Sequence, residues 1–290
     1  MTGLPPCHRI GIIGTGRVAG AMALALARYS VSPLLIWGRD PVRRAALVAA
    51  TVGCQAVSDM AMVARKCDLI LIAVSDDAIA PVVADLAACM ADSAAPFILH
   101  LSGRSGAALL APLQQHGALT AAVHPAMTFT GDPVQEVARM VGATFVITAD
   151  NGEAVAAARD MVARLGGLAE QVGERQRALY HAALCHAANH LVTLIAGSRD
   201  ALAAAGVADP AALLGPLVRA ALDNSLDRGM AALSGPLLRG DAESIGRHLT
   251  ALAADQPQLL PAYRAMAGAT LDALEQHGGA VPTVLRTMLD

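Results

Sequence analysis

Gly14 and Gly16 stand two apart in the segment GIIGTGRVAGAMA, and small Ala19 follows three residues later. This is the spacing of a strand-to-helix turn that presents free backbone N–H groups to a pyrophosphate. Gly14 permits the tight turn, Gly16 lets the backbone approach the anion, and Ala19 lets the helix pack closely on the strand. Thr15, Arg17 and Val18 belong to the same turn and to the expected cofactor contacts. At the end of the next apolar run, a site for NAD would present an Asp or Glu to the ribose hydroxyls, but this chain has Trp37, Gly38 and Arg39 there. Asp40 reads as the N-cap ahead of Pro41. Arg43 and Arg44 then fall in the first turn of the following helix, where the helix dipole disfavours positive charge unless an anion is near. A 2′-phosphate is such an anion, so these residues point to NADP(H) rather than NAD(H); a solvated arginine face is the alternative.

Other polar residues could handle protons or substrate oxygens. On an ideal helix His181, Cys185 and Asn189 advance by about 40° each and share a face. A histidine with its ordinary pKa near ~6.5 gives and takes protons at neutral pH, and an asparagine can hydrogen-bond a carboxylate or carbonyl oxygen. His124 precedes Pro125 at the end of an apolar run, the C-terminal strand end where open α/β sheets bind ligands. Val74 and Ser75 end one such run, and Ser102 and Gly103 end another; they are expected beside a nicotinamide. His100 lies inside its strand and reads as a core histidine. Arg239, in the loop SGPLLRGD, could hold a carboxylate bidentately or pair with Asp241, itself a helix cap. For His181 and Asn189 the alternative is a buried polar group satisfied by neighbouring helices, and for His124 a histidine that stabilises its turn. His186 and His190 have the four-residue spacing of a metal pair, but no carboxylate completes a site and no metal is expected.

The elements that position these residues follow from periodicity. Apolar runs at 9–13, 34–37, 68–74, 97–101, 119–123 and 144–148 read as strands, with helical stretches such as 18–29, 41–50 and 75–88 between them. The run 68–74 is apolar without alternation, as in a strand covered on both faces. Beyond residue 173 strand-like runs give way to helical stretches at 174–205, 210–228, 242–253 and 258–276. The fold class is therefore α/β, a Rossmann-type doubly wound parallel sheet followed by an all-helical C-terminal domain, with GGLAEQVG at 166–173 as the seam between domains 1–173 and 174–290.

Composition excludes several alternatives. The 290 residues are 55% hydrophobic and 16% charged, ample for a buried core. A net charge of −3 supplies no basic field for nucleic acid or an anionic membrane. Mean hydropathy is +0.49, yet the longest apolar stretches fall far short of the roughly 20 residues of a spanning helix. Five scattered cysteines, at 7, 54, 67, 89 and 185, form no CxxC pair. The N-terminal segment MTGLPPCHRI has no leader pattern, and a reducing, cytoplasmic setting is expected.

The segments GIIGTGRVAGAMA, LILIAVSDDAI, HLSG, VHPAMTF, YHAALCHAANHLVTL and SGPLLRGD, in this order, resemble predicted oxidoreductases with a Rossmann-like N-terminal domain and a helical C-terminal domain of unknown function. The layout is more distantly similar to ketopantoate reductase, pyrroline-carboxylate reductase, prephenate dehydrogenase and 3-hydroxyisobutyrate dehydrogenase. The resemblance implies NADP-dependent hydride transfer between the domains. It places His181 where ketopantoate reductase and hydroxyisobutyrate dehydrogenase carry a lysine, and Asn189 at an asparagine position; Cys185 departs from that pattern. HPAMTF looks like the HP-containing loop of prephenate dehydrogenase. Relatives often dimerise through the helical domain, which implies a homodimer.

Hydride delivery to a carbonyl leaves an alkoxide that needs a proton, and a positioned donor is worth about 10²–10⁴-fold. The expectation is an NADP(H)-dependent oxidoreductase acting on a small carbonyl or imine, a 2-oxo acid such as ketopantoate in particular, with His181, Asn189, His124 and Arg239 as catalytic or substrate-contacting groups. The alternatives are a non-catalytic NADP(H)-sensing module that contacts a partner protein, and a deazaflavin-dependent NADP oxidoreductase, which would need a second cofactor site.

Overall fold

In a computed structural model of the protein, residues 8–90 and 96–290 are described. Cys7 and the reading of the segment before His8 lie outside the described residues. The chain forms two compact units, Met1–His186 and Ala187–Asp290.

The first unit opens with β1 (Ile10–Ile13), α1 (Arg17–Leu26), β2 (Leu34–Trp37), α2 (Pro41–Ala50), β3 (Cys54–Ala56), α3 (Met60–Lys66), β4 (Leu69–Ile72), α4 (Asp76–Cys89) and β5 (Phe97–His100). It continues with α5 (Ala111–Gln114), β6 (Leu119–Pro125), α6 (Pro133–Met140), β7 (Thr144–Thr148), α7 (Gly152–Arg164) and β8 (Leu168–Gln171). The strands form one sheet in the order β3-β2-β1-β4-β5-β6-β7-β8. Every neighbouring pair is parallel except β6 with β7, where His124 lies opposite Val146. The chain runs outward from β1 to β3 and then from β4 the other way, so the topological switch point lies between β1 and β4.

Strand residues alternate between two cores. Ile10 and Ile12 of β1, Leu69 and Leu71 of β4, and Leu99 of β5 pack with α1 and α7 side chains such as Met22, Leu26 and Met161. Ile13, Ile70, Ile72 and Ile98 face the other way, against Val63 of α3 and Val83 and Leu86 of α4. Because helices cover both faces, both sides of the pleat are apolar, which is why these strands read as unbroken hydrophobic runs.

Two strands escape the periodicity. The segment 166–173, expected as a seam, contains β8, whose residues are exposed or half-buried, so it lacks an apolar run. The three-residue β3, half-buried to exposed, has no apolar run either. Strand β6 also extends two residues past its expected end, through His124 and Pro125, because β7 pairs with them.

A 3₁₀ turn at Glu174–Gln176 leads into α8 (Arg177–Ala204), within which the division between the units falls. The second unit continues with α9 (Pro210–Arg228), α10 (Pro236–Arg239), α11 (Ala242–Asp255), α12 (Leu260–Gln276) and α13 (Thr283–Leu289). Ile245, Ala267, Leu271, Leu285 and Leu289 form its core. No helix among the described residues is long and apolar enough to cross a membrane.

A candidate cofactor site at the switch point

The C-terminal ends of the central strands border a cleft of about 710 Å³ within the first unit. Its floor is the turn after β1. Gly14 has φ +133, a conformation L side chains rarely adopt, and a Cβ there would lie 2.1 Å from the Ala73 carbonyl oxygen. The turn is fixed from both sides by Gly14 N–H donating to the Trp37 carbonyl and Ala73 N–H donating to the Ile13 carbonyl, each at 2.8 Å. Gly16, the N-cap of α1, has ordinary backbone angles and nothing within 4 Å of where a Cβ would be, so its backbone faces open space. The first turn of α1 carries no acidic residue, and Arg17 sits in it. Cationic side chain, free helix N-terminus and open glycine together favour an anion at this spot.

Of the expected cofactor contacts, Gly14, Thr15, Gly16, Arg17 and Val18 line the cleft from the turn. Arg39, Arg43, Val74, Ser75 and Ser102 line it from the ends of three further strands and the start of α2. Arg44 does not; its guanidinium donates to the Gly38 carbonyl at 2.7 Å, which ties the start of α2 to the end of β2. Asp40 caps α2 by accepting from the N–H groups of Val42 and Arg43 at 2.9 and 3.2 Å, and lies 3.5 Å from the Arg43 Nε. Its carboxylate is thus engaged locally. Trp37 borders the cleft beside Gly38.

At the other end of the cleft the structure brings His124 and His181 together, their rings edge-on with centroids 6.4 Å apart. Gly103 lies between them: a Cβ there would be 2.6 Å from Cδ2 of His181 and 2.9 Å from Nε2 of His124. Burial holds His124 neutral, with the Arg177 cation and His181 adding to the effect and Asp76 opposing it, so its pKa is pushed down to about 4. The Sγ of Cys185 lies 3.7 Å from Nε2 of His181.

Three residues that periodicity did not single out support this end. Arg177 is 2% exposed, and its guanidinium donates to the carbonyls of Ser105, Val146 and Ser102 at 3.0, 3.2 and 2.9 Å. It also lies 5.6 Å from the centre of the Tyr180 ring. The Tyr180 hydroxyl is 2.8 Å from Nδ1 of His124. Phe129, near the end of the HPAMTF segment, adds an apolar wall. His100 is fully buried as a core histidine: Nε2–H donates to the Gly106 carbonyl at 2.8 Å and Nδ1 accepts from Ser102 N–H at 3.2 Å. Ser105 N–H in turn donates to the Ser102 hydroxyl at 3.1 Å. Burial lowers the His100 pKa, the Gly106 hydrogen bond opposes it and Arg177 adds to it, leaving the ring at about 4.

Asn189 and Arg239 lie in the second unit, both exposed, and are not among the residues that line this cleft. Asp241 caps α11 by accepting from the Ser244 N–H and hydroxyl at 3.0 and 2.6 Å. Its pKa is lowered mainly by those bonds, with Arg239 a lesser contributor. Among the described residues no ion pair within 4 Å joins Arg239 to Asp241.

The sequence matches two family descriptions: a Rossmann-like domain over residues 4–125 and the domain of unknown function DUF2520 over residues 143–270. The chain carries this pair of domains, as its ordered segments suggest. No curated protein matches it. Among solved structures it is similar to a candidate NADP oxidoreductase from Bacteroides fragilis, at 22% identity and a TM-score of 0.74, with 91% of this chain and 97% of that one covered. It is similar to a protein from Thermotoga maritima at 18% identity and a TM-score of 0.67, covering 92% and 99% of the two chains. A reductive aminase from Aspergillus terreus in complex with NADPH and ethyl-5-oxohexanoate aligns at 17% identity and a TM-score of 0.69, covering 98% and 99%. At these identities the likeness is one of fold.

Proposed function

We propose that the protein is an NADP(H)-dependent oxidoreductase that delivers a hydride to a small carbonyl or imine. One observation carries the reading: the glycine turn at the switch point opens onto a cleft bordered by Arg17, Arg39 and Arg43, and the end of β2 offers Trp37 and Gly38 where a ribose-binding acid would stand. The site fits the cofactor. Gly16 leaves room for a pyrophosphate against the α1 N-terminus, and Arg39 and Arg43 suit a 2′-phosphate beyond the end of β2. Bound there, NADP(H) would supply the hydride from its nicotinamide ring.

The chain's own residues would do the rest. Val74, Ser75 and Ser102 wall the cleft between the turn and the histidine pair. His124 and His181 meet at Gly103, where a proton is needed by an alkoxide or amide formed from substrate. The similar fold of the NADPH-bound reductive aminase is the reason to test imines beside 2-oxo acids such as ketopantoate. A homodimer is part of the proposal: in the second unit Val192, Leu217 and Leu226 expose 71%, 64% and 77% of their surface, which fits burial against a second copy. Sedimentation at micromolar concentration tests it.

The deciding experiment titrates the protein with NADPH and with NADH, following emission from Trp37, the sole tryptophan. NADPH is expected to bind at least tenfold more tightly, a difference of about 1.4 kcal/mol, and to be oxidised when a suitable carbonyl or imine is added. Binding without turnover across 2-oxo acids, ketones and imines would favour a sensing module, and no binding of either nucleotide would sink the reading.

A further inference from the structure

Tyr180 does not line the cleft, yet it touches a residue that does. Its hydroxyl lies 2.8 Å from Nδ1 of His124, whose other nitrogen, Nε2, faces Gly103 at the cleft wall. The imidazole thus spans the distance from a half-buried phenol to the open cavity. A neutral imidazole carries one N–H, so its two nitrogens must divide the roles of donor and acceptor. The charged and titratable groups around it are Arg177, His181 and Asp76; Arg177, which hydrogen-bonds three backbone carbonyls and has Glu174 as a lesser charge partner, disfavours a second positive charge on the ring. The same guanidinium, 5.6 Å from the Tyr180 ring centre, favours the phenolate over the phenol and opposes the effect of burial.

We propose that Tyr180 is a positioning residue that donates its hydroxyl hydrogen bond to Nδ1 of His124, fixing the Nε2–H tautomer toward the cleft, and that the pair relays a proton to the reduced substrate. The relay rests on the reductase reading; the tautomer does not. In the relay the His124 Nε2–H bond breaks as an O–H or N–H bond forms on the product, and the Tyr180 hydroxyl proton moves to Nδ1. To reset the pair, Nε2 takes a proton from solvent through the cleft as the Nδ1 proton returns to the phenolate beside Arg177. No histidinium is required at any stage, in keeping with a ring that stays neutral at physiological pH.

The test reads the ring nitrogens of His124 by NMR in the full chain labelled with ¹⁵N-histidine, with assignment by His124→Gln. The wild-type protein at pH 7 is expected to hold the Nε2–H tautomer, and Tyr180→Phe to shift it toward a mixture. In parallel, Tyr180→Phe should lower kcat on the order of 10²-fold while NADPH affinity stays within twofold. A wild-type Nδ1–H tautomer, or a tautomer indifferent to Tyr180→Phe, would overturn the positioning role. Normal kcat in a variant whose tautomer has shifted would overturn the relay. If Tyr180→Phe does not fold, the wild-type tautomer decides the positioning. If no carbonyl or imine is turned over, the relay falls with the reductase reading while the tautomer still stands or falls on its own.

Discussion

The buried guanidinium of Arg177 donates to the Ser102 carbonyl at 2.9 Å, joining the first residue of α8 to the segment that follows β5. Two more carbonyls, of Ser105 and Val146, share the same cation. Arg177→Met keeps the bulk but takes the guanidinium away from all three carbonyls, so we expect the first unit to lose roughly 2–4 kcal/mol in denaturant unfolding. With the cation gone, the His124 pKa should rise, visible in an NMR titration. An unaltered His124 titration would show that Arg177 has no part in setting it.

Gly14 and Gly16 separate folding from binding. Gly14→Ala forces a side chain into a positive-φ position 2.1 Å from a carbonyl oxygen, so loss of soluble protein or a melting temperature lowered by several degrees is expected. Gly16→Ala meets no atom, so the apo protein should melt like wild type while nucleotide affinity drops at least tenfold. A Gly16→Ala protein that binds nucleotide normally would place the pyrophosphate elsewhere.

Arginine substitutions test the choice of cofactor. Arg43→Ala and Arg39→Ala should each weaken NADPH binding roughly 10- to 100-fold while changing NADH binding little, since the lost contact is with the 2′-phosphate. Arg44→Ala is the internal control: it removes a bond to the Gly38 carbonyl, so a modest fall in stability of about 1 kcal/mol is expected with little change in nucleotide preference. Calorimetric titration of the three variants with both nucleotides decides the matter.

His100 and His124 give the protein an acid sensitivity of definite sign. Each has a folded pKa pushed to about 4, below the unfolded value of about 6.5. Below pH ~6.5 the unfolded chain therefore binds protons that the folded one refuses. The stability these neutral rings contribute is whole above about pH 6.5 and is lost progressively as the pH falls to about 4. The slope in that window should approach ~1.4 kcal/mol per pH unit for each ring. His124→Gln should remove about half of the histidine-dependent slope, measured by urea unfolding at pH 4.5, 5.5 and 6.5.

How legible each part was depends on whether its cause is local. The Gly14 turn and the β4 run could be read because a turn and a doubly covered strand mark their own residues. β8 could not, since its residues are exposed or half-buried and its pairing with β7 is a matter of register rather than composition. His124 was legible as a strand end, but its partner Tyr180 lies 56 residues away, and nothing short of the tertiary fold pairs them. Arg177 follows Glu174 and Arg175 at the polar start of a helix and nothing local marks it; its burial follows from carbonyls contributed by the segment after β5 and by β7. Asn189 shares α8 with His181 but lies beyond the division between the units.

The segment after β5 is tied down by the strand's own last residue. His100 accepts from the Ser102 amide and donates to the Gly106 carbonyl, and the Ser102 hydroxyl receives the Ser105 amide. A wall braced in this way spends its conformational entropy when the chain folds rather than when a ligand arrives. Ligand entry there then meets a preorganised surface, and the free energy of contact is not consumed in ordering a loop. Amide exchange at Ser102 and Ser105 should accordingly be slow already in the apo protein and change little on saturation, whereas loosening the brace with His100→Ala should weaken nucleotide binding without removing a single contact to it.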